Sequence, residues 1–150
     1  MSRFVIDASV AIKWIVEEAG TVEALAILEN AKLSAPDLLI AECANILWKK
    51  VRRKELSENE ARIGARLLER ADIEILPTRH LLGLSTSLAI ELDHPAYDCI
   101  YLALAMENDW RFVTADERFQ RRVRKTQSTQ YSGIVLSIPE AAATLTKGAS

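Results

Sequence analysis

The stretch Phe4-Val5-Ile6-Asp7-Ala8-Ser9 decides the fold. A short run of consecutive apolar residues reads as a strand buried on both faces, as in a parallel sheet. The acid that stops it stands where open α/β sheets bind their ligands, just outside the carboxyl ends of the strands. Outward from this stretch the same unit recurs. Leu33-Ser34-Ala35 is stopped by Pro36, and Ile73-Glu74-Ile75-Leu76 by Pro77. Arg111-Phe112-Val113-Thr114-Ala115 ends just before Asp116, and Gly133 to Leu136 is a last strand. Helical patterns fill the intervals: Ser9 to Val16, Thr21 to Ala31 with Thr21 as its cap, Asp37 to Lys54, Ser57 to about Ala71, Thr78 to Leu92, Pro95 to Glu107, Glu117 to Lys125 and Pro139 to Thr146. Ser57 and Glu60 have the spacing of a capping box. Strands alternating with helices predict an α/β fold, a single domain over residues 1–150 with a central parallel sheet of four to five short strands flanked by helices.

Composition narrows the function. With 49% hydrophobic and 27% charged residues in 150, the chain has material for one core and no signature of disorder. Its apolar runs are far shorter than a membrane span. Asp7 interrupts the apolar run that a secretory leader would need, so the expected location is the cytoplasm. Cys43 and Cys99, two cysteines in apolar helical patterns, read as small buried hydrophobes and cannot make a zinc site or a disulfide framework. The net charge of −2 does not announce a nucleic-acid partner. Its distribution is more telling, because Lys49 to Lys54 and Arg118 to Lys125 are locally basic. Such runs are ordinarily solvated helix faces, yet they also suit a protein that holds a polyanion beside an acidic site.

That acidic site is the strongest signal. Asp7 and Asp116 follow strands. Glu42 and Asp98 sit in helices that are apolar nearly all round: Leu38 to Ala41, Cys43, Ala44, Ile46 and Leu47 surround the first, and Cys99, Ile100 and Leu102 to Ala105 the second. Helices of that kind are buried, and a carboxylate inside one must be paired, protonated or bound to a cation. No lysine or arginine lies one turn away; Lys49 and Lys50 are two turns below Glu42. Two carboxylates about 4 Å apart repel by roughly 4 kcal/mol at an effective dielectric near 20. Four together hold protons at neutral pH unless a cation sits among them. Oxygen donors without histidine or cysteine spacing favour magnesium or manganese over zinc. An ion so held supplies phosphoryl chemistry, making water a nucleophile near neutral pH and stabilising charge on the leaving oxygen.

These residues resemble the motifs of the PIN-domain ribonucleases, most closely the VapC-type toxins of toxin–antitoxin pairs. The motifs are Val5-Ile6-Asp7-Ala8-Ser9, Pro36-Asp37-Leu38-Leu39-Ile40-Ala41-Glu42-Cys43-Ala44-Asn45, Tyr97-Asp98-Cys99-Ile100-Tyr101-Leu102-Ala103-Leu104-Ala105 and Phe112-Val113-Thr114-Ala115-Asp116-Glu117-Arg118-Phe119. Each is weak alone; their order and spacing, 35, 56 and 18 residues between successive acids, make the set specific. The resemblance covers nearly the whole chain and implies a PIN-like α/β/α fold and a magnesium-dependent endoribonuclease. It implies that Asp7 and Asp98 are direct metal ligands, with Asp116 and Glu42 acting partly through water or orienting the attacking water. Ser9 and Thr114 would be supporting hydroxyls and Asn45 a hydrogen-bonder beside Glu42. It also implies a homodimer and an antitoxin whose segment lies across the active site, with an arginine entering the carboxylate cluster.

Rival classes fit less well. A receiver-like signalling domain wants a second acid beside the first and a lysine after a late strand. An aspartyl phosphomonoesterase wants an acid where Ser9 stands. A non-catalytic PIN-fold RNA-binding or scaffold protein would be favoured by a missing acid, and all four are present. His94, before a proline, reads as a solvated loop residue, and His80 as structural or exposed. Trp14, Trp48 and Trp110 read as core or interface side chains rather than platforms for bases. Lys49, Lys50, Arg52, Arg53, Arg121 and Arg122 are candidates for holding RNA backbone.

Overall fold

A computed structural model describes residues 1–126, 131 and 133–147. Five strands, β1 (Arg3–Ile6), β2 (Lys32–Pro36), β3 (Ile73–Leu76), β4 (Arg111–Val113) and β5 (Val135–Leu136), form one parallel sheet in the order β3-β2-β1-β4-β5. The chain leaves β1 first towards β2 and later returns to add β4 on the other side. The sheet therefore reverses its order at the β1–β4 pair, the place where such sheets open a crevice beyond their carboxyl ends. Phe4, Val5 and Ile6 pair with Arg111, Phe112 and Val113. The two strands end level, so the residues that follow them, Asp7 and Thr114, come out side by side.

The helices are α1 (Ala8–Ala11), α2 (Thr21–Asn30), α3 (Leu38–Arg52), α4 (Glu58–Glu69), α5 (Leu82–Leu92), α6 (Ala96–Asn108), α7 (Glu117–Lys125) and α8 (Ile138–Lys147). Their apolar positions explain their places. Helix α3 buries Leu39, Cys43 and Leu47 at successive i, i+4 steps and leaves its other side to solvent. Helix α6 buries Cys99 and every residue from Tyr101 to Ala105, because it packs against β1, β2 and β4 on one side and α5 on the other. Helix α4 opens with the expected capping box: the Glu60 amide donates to Ser57 Oγ at 3.0 Å and the Ser57 amide to Glu60 Oε1 at 2.9 Å. No helix among the described residues is long and apolar enough to cross a membrane.

Some expected boundaries move. The helix from Ser9 to Val16 is a single α-turn, α1, followed by a 3-10 turn over Ile12–Trp14. The helix expected from Thr78 begins as a 3-10 turn over Arg79–Leu81. Strand β4 stops at Val113, because Thr114 turns its hydroxyl to the site. Gly20, not Thr21, caps α2, with φ at 90° where a side chain would be strained. Thr21 instead ties the preceding loop, donating to Val16 O and accepting from the Glu18 amide.

One connection matters for function. Helix α5 ends on Asp93 in the left-handed region, φ 49°, and the His94 amide reaches back to Ala89 O at 3.1 Å. This closing turn is the kind that usually takes glycine. It reverses the chain within two residues and sets His94 immediately before the first turn of α6.

Candidate active site

Level strand ends produce the first half of the site. Asp7 is the N-cap of α1, 5% exposed, and its Oδ1 accepts from the Val10 amide at 3.3 Å and from Ser9 Oγ at 2.5 Å. Thr114 Oγ1 donates to Asp7 Oδ2 at 2.5 Å and accepts from the Asp116 amide at 3.1 Å. Ser9 Oγ accepts in turn from the Ala115 amide at 2.9 Å. Each hydroxyl receives a backbone N–H, so its own hydrogen is directed to the carboxylate. The β1 and β4 ends are thereby stitched together through Asp7.

Helices bring the other acids. Asp116 caps α7, accepting from the Phe119 amide at 3.1 Å. Asp98 lies in the first turn of α6, where His94 Nε2 sits 2.6 Å from its Oδ2. One ligand atom each from His94, Asp98 and Asp116 falls within a span of 4.8 Å. Glu42, half-buried on α3, accepts from the Tyr101 hydroxyl of α6.

The carboxylates act on one another electrically. Burial pushes Asp7 from 3.8 up to about 7; the Ser9 and Thr114 hydroxyls pull it down, and the charges of Asp98 and Glu42 push it further up. Glu42 is raised by burial against the pull of Tyr101, with Asp98 adding to the rise. Asp98 is raised by burial, lowered by the His94 hydrogen bond, and raised again by Asp116. Among the described residues no lysine or arginine pairs with any of the four. Cys43 and Cys99 are buried and their thiols pushed up to about 12 and 11, so both are inert, as expected for packed hydrophobes.

All four predicted acids converge on one edge, and Ser9 and Thr114 stand beside Asp7. Asn45 does not behave as expected. It lies exposed on α3 and makes no hydrogen bond to Glu42; the Tyr101 hydroxyl takes that place. His94 is also corrected. Its side chain is 8% exposed rather than solvated, and its ring centroid lies 4.9 Å from that of Phe119. Two site residues thus went unassigned in the sequence. His94 was legible as the i−4 neighbour of Asp98, but Pro95 between them hides the helical relation. Tyr101 was legible as a phenol in a helix apolar all round, which needs a buried partner. His80 is half-exposed and lies 2.8 Å from Glu107, a surface pair as expected.

A parallel α/β domain with carboxylates gathered at its switch point has the donors to hold a metal ion beside a bound ligand. The PIN domain family model matches residues 4–125. The chain belongs to the PIN-domain family. It is 29% identical over 126 residues to ribonuclease VapC3 of Pyrobaculum aerophilum, covering 80% of this chain and 94% of that protein. The fold matches the crystal structure of PAE2754, also from Pyrobaculum aerophilum, with a TM-score of 0.72 and 20% identity over 97% of this chain and 90% of the other. It also matches VapBC2 from Rickettsia felis, solved bound to a DNA fragment from their promoter, at TM-score 0.63 and 12% identity over 90% of this chain and 98% of that one.

Proposed function

We propose that this protein is a divalent-metal-dependent endoribonuclease and the toxin of a VapBC-type pair. One observation carries the proposal: four carboxylates from distant parts of the chain gather beside the sheet's switch point, Asp7, Glu42 and Asp98 are raised by burial and by their acidic neighbours, and among the described residues no lysine or arginine pairs with any of the four. The family match and the ribonuclease among its relatives support the same reading.

The donor set fits a hard cation. Carboxylate oxygens dominate, and their mutual repulsion is relieved only by protons or positive charge. Asp7, Asp98 and Asp116 would hold magnesium or manganese, which supplies an activated water and charge stabilisation at the leaving oxygen. The chain's own residues do the rest. Ser9 and Thr114 hold both Asp7 oxygens, and His94 would orient Asp98 through its Oδ2. Glu42, held by Tyr101 and raised by burial, would take the proton of the attacking water as the new P–O bond forms and the old one breaks. Incubating the purified protein with total RNA, with magnesium and then with chelator, tests this. Cleavage is expected only with the metal; cleavage that persists in chelator overturns the mechanism.

An antitoxin partner follows from the same electrostatics. Among the described residues no lysine or arginine pairs with the acid cluster, and an arginine on a partner segment would neutralise it and exclude RNA. The VapBC2 complex among the structural neighbours supports a partner of this kind. A further expectation is a homodimer. A stoichiometric partner that binds without lowering nuclease activity would remove the inhibitory role.

A further inference from the structure

Of the basic candidates, some are paired with carboxylates and others, Arg122 on α7 among them, are exposed without such a partner among the described residues. Lys50 lies 3.8 Å from Glu18 and 3.3 Å from Glu55, Arg121 lies 3.9 Å from Glu117, and Arg124 lies 2.6 Å from Glu140. Lys49, Arg52 and Arg53 are exposed and have no carboxylate partner among the described residues. Trp48 stands with them, 52% exposed, and the Arg52 guanidinium lies 5.1 Å from its ring centroid. The four side chains line one shallow recess.

Their position on α3 relates them to the site. At 3.6 residues per turn, Lys49 falls two turns from Glu42 and about 20° off its line; Arg53 falls three turns away and about 20° to the other side. Trp48 and Arg52 lie about 120° and 80° around the helix from that line, on the side facing away from the core. The opposite side carries Leu39, Cys43 and Leu47 into the core. A cationic ridge therefore leads from the catalytic carboxylate along the outside of α3, with Lys49 and Arg53 at roughly 10 and 16 Å of axial rise. Basic residues in a last helical turn complement the helix dipole, which would account for the charges alone. It does not account for a large aromatic left in water with a guanidinium stacked on it. Cations beside an exposed aromatic are the parts of a single-strand binding surface, where phosphates meet the charges and a base meets the ring.

We propose that the outer ridge of α3, formed by Trp48, Lys49, Arg52 and Arg53, binds single-stranded RNA several nucleotides from the scissile bond. This deepens the nuclease proposal and rests on it. The ridge gives the enzyme a reason to prefer long, unpaired RNA, independent of base identity at the cut.

Binding of a labelled 20-nucleotide single-stranded RNA to the full chain in chelator tests the ridge without cleavage. The Lys49→Gln, Arg53→Gln double variant should weaken binding about tenfold and lower the slope of log affinity against log salt by about 1.4, for two lost phosphate contacts. Trp48→Ala should weaken it about fivefold or more, with Trp48→Phe retaining part of the affinity, since stacking needs a ring rather than an indole. With magnesium, the loss of kcat/KM in the double variant should be at least tenfold greater for the 20-mer than for a trinucleotide too short to reach Lys49. An unchanged salt slope, or equal losses for both lengths, overturns the ridge. So does a Trp48→Ala variant that turns a dimer into monomers while binding RNA normally, since the ridge would then be an interface between copies. Cleavage of total RNA by the wild type, scored separately, decides the nuclease proposal whatever the ridge does.

Discussion

The two halves of the acid cluster are built differently. On the β1–β4 side, Asp7 is 5% exposed and takes three donors, two from the first turn of α1 and one from Thr114 at the end of β4. On the helical side, Asp98 and Glu42 are only partly buried, and each has a single side-chain donor, His94 and Tyr101, from or beside α6. The first carboxylate belongs to the core and cannot move without the sheet. The others stand on helices, next to solvent, where substrate and water arrive. A site of this kind keeps one anchor rigid and leaves the protonation and access of its remaining groups adjustable.

The harshest way to break the comparison is to neutralise one acid on each side. Asp7→Asn and Asp98→Asn should each lower cleavage by several orders of magnitude. Without metal their stabilities should diverge: Asp7→Asn raises the melting temperature, because it removes a buried group that ionises at a cost, while Asp98→Asn changes it little. Full activity in either variant refutes the mechanism, and equal melting shifts refute the asymmetry.

Next in size is a pH effect. Asp7 titrates near 3.8 unfolded and at about 7 folded. Below pH 4 both states hold the proton and the group contributes nothing. Between pH 4 and 7 the native state keeps a proton that the unfolded state has lost, so metal-free stability falls as pH rises. The ceiling on that loss is about 4 kcal/mol. Urea titrations across this window in chelator should show the decline, and Asp7→Asn should flatten it. Magnesium at about 100 times its Kd should return roughly 2.7 kcal/mol at neutral pH. A profile rising from pH 4 to 7 without metal contradicts the burial of Asp7.

The helical side is probed more gently. His94 fixes Asp98 through one hydrogen bond, and loss of such a support typically costs 10- to 100-fold in metal affinity. His94→Ala should weaken manganese binding, read by electron paramagnetic resonance, within that range, and His94→Gln should recover part of it. Thr114→Val on the opposite side removes a donor to Asp7 and the acceptor of the Asp116 amide. It should cost about 1–3 kcal/mol of stability as well as activity. If His94→Ala also destabilised the apo-protein as strongly as Thr114→Val, the histidine would be structural rather than a positioning residue.

This contrast explains what was legible in the sequence. Asp7 and Asp116 could be found from strand ends, and Glu42 and Asp98 from the conflict of an acid with an apolar helix, because both signals are local. The five strands and most helices followed from the same short-range patterns. His94 and Tyr101 depend on how α5, α6 and α3 meet, and no local pattern reports that. Asn45 was misplaced for the same reason: it is one turn from Glu42, but the α3–α6 contact hands the hydrogen bond to Tyr101 and turns Asn45 to solvent. For Trp48 the sequence leaves core and interface open, and its exposure appears only once the buried side of α3 is known.

The smallest effect should be Tyr101→Phe, and it separates two roles for Glu42. The hydroxyl donates to Glu42 and lowers its proton affinity against the lift from burial and Asp98. Without it, Glu42 holds its proton to higher pH and is less often free to accept one from water. The rate at neutral pH should drop by about tenfold, less than the hundredfold or more that loss of general-base assistance typically costs, because Glu42 itself remains, and recover as pH rises. The acidic limb of the pH–rate profile should move upward while KM for RNA stays unchanged. Were Glu42 only a ligand held in place by Tyr101, the variant would weaken metal binding and leave the limb where it was.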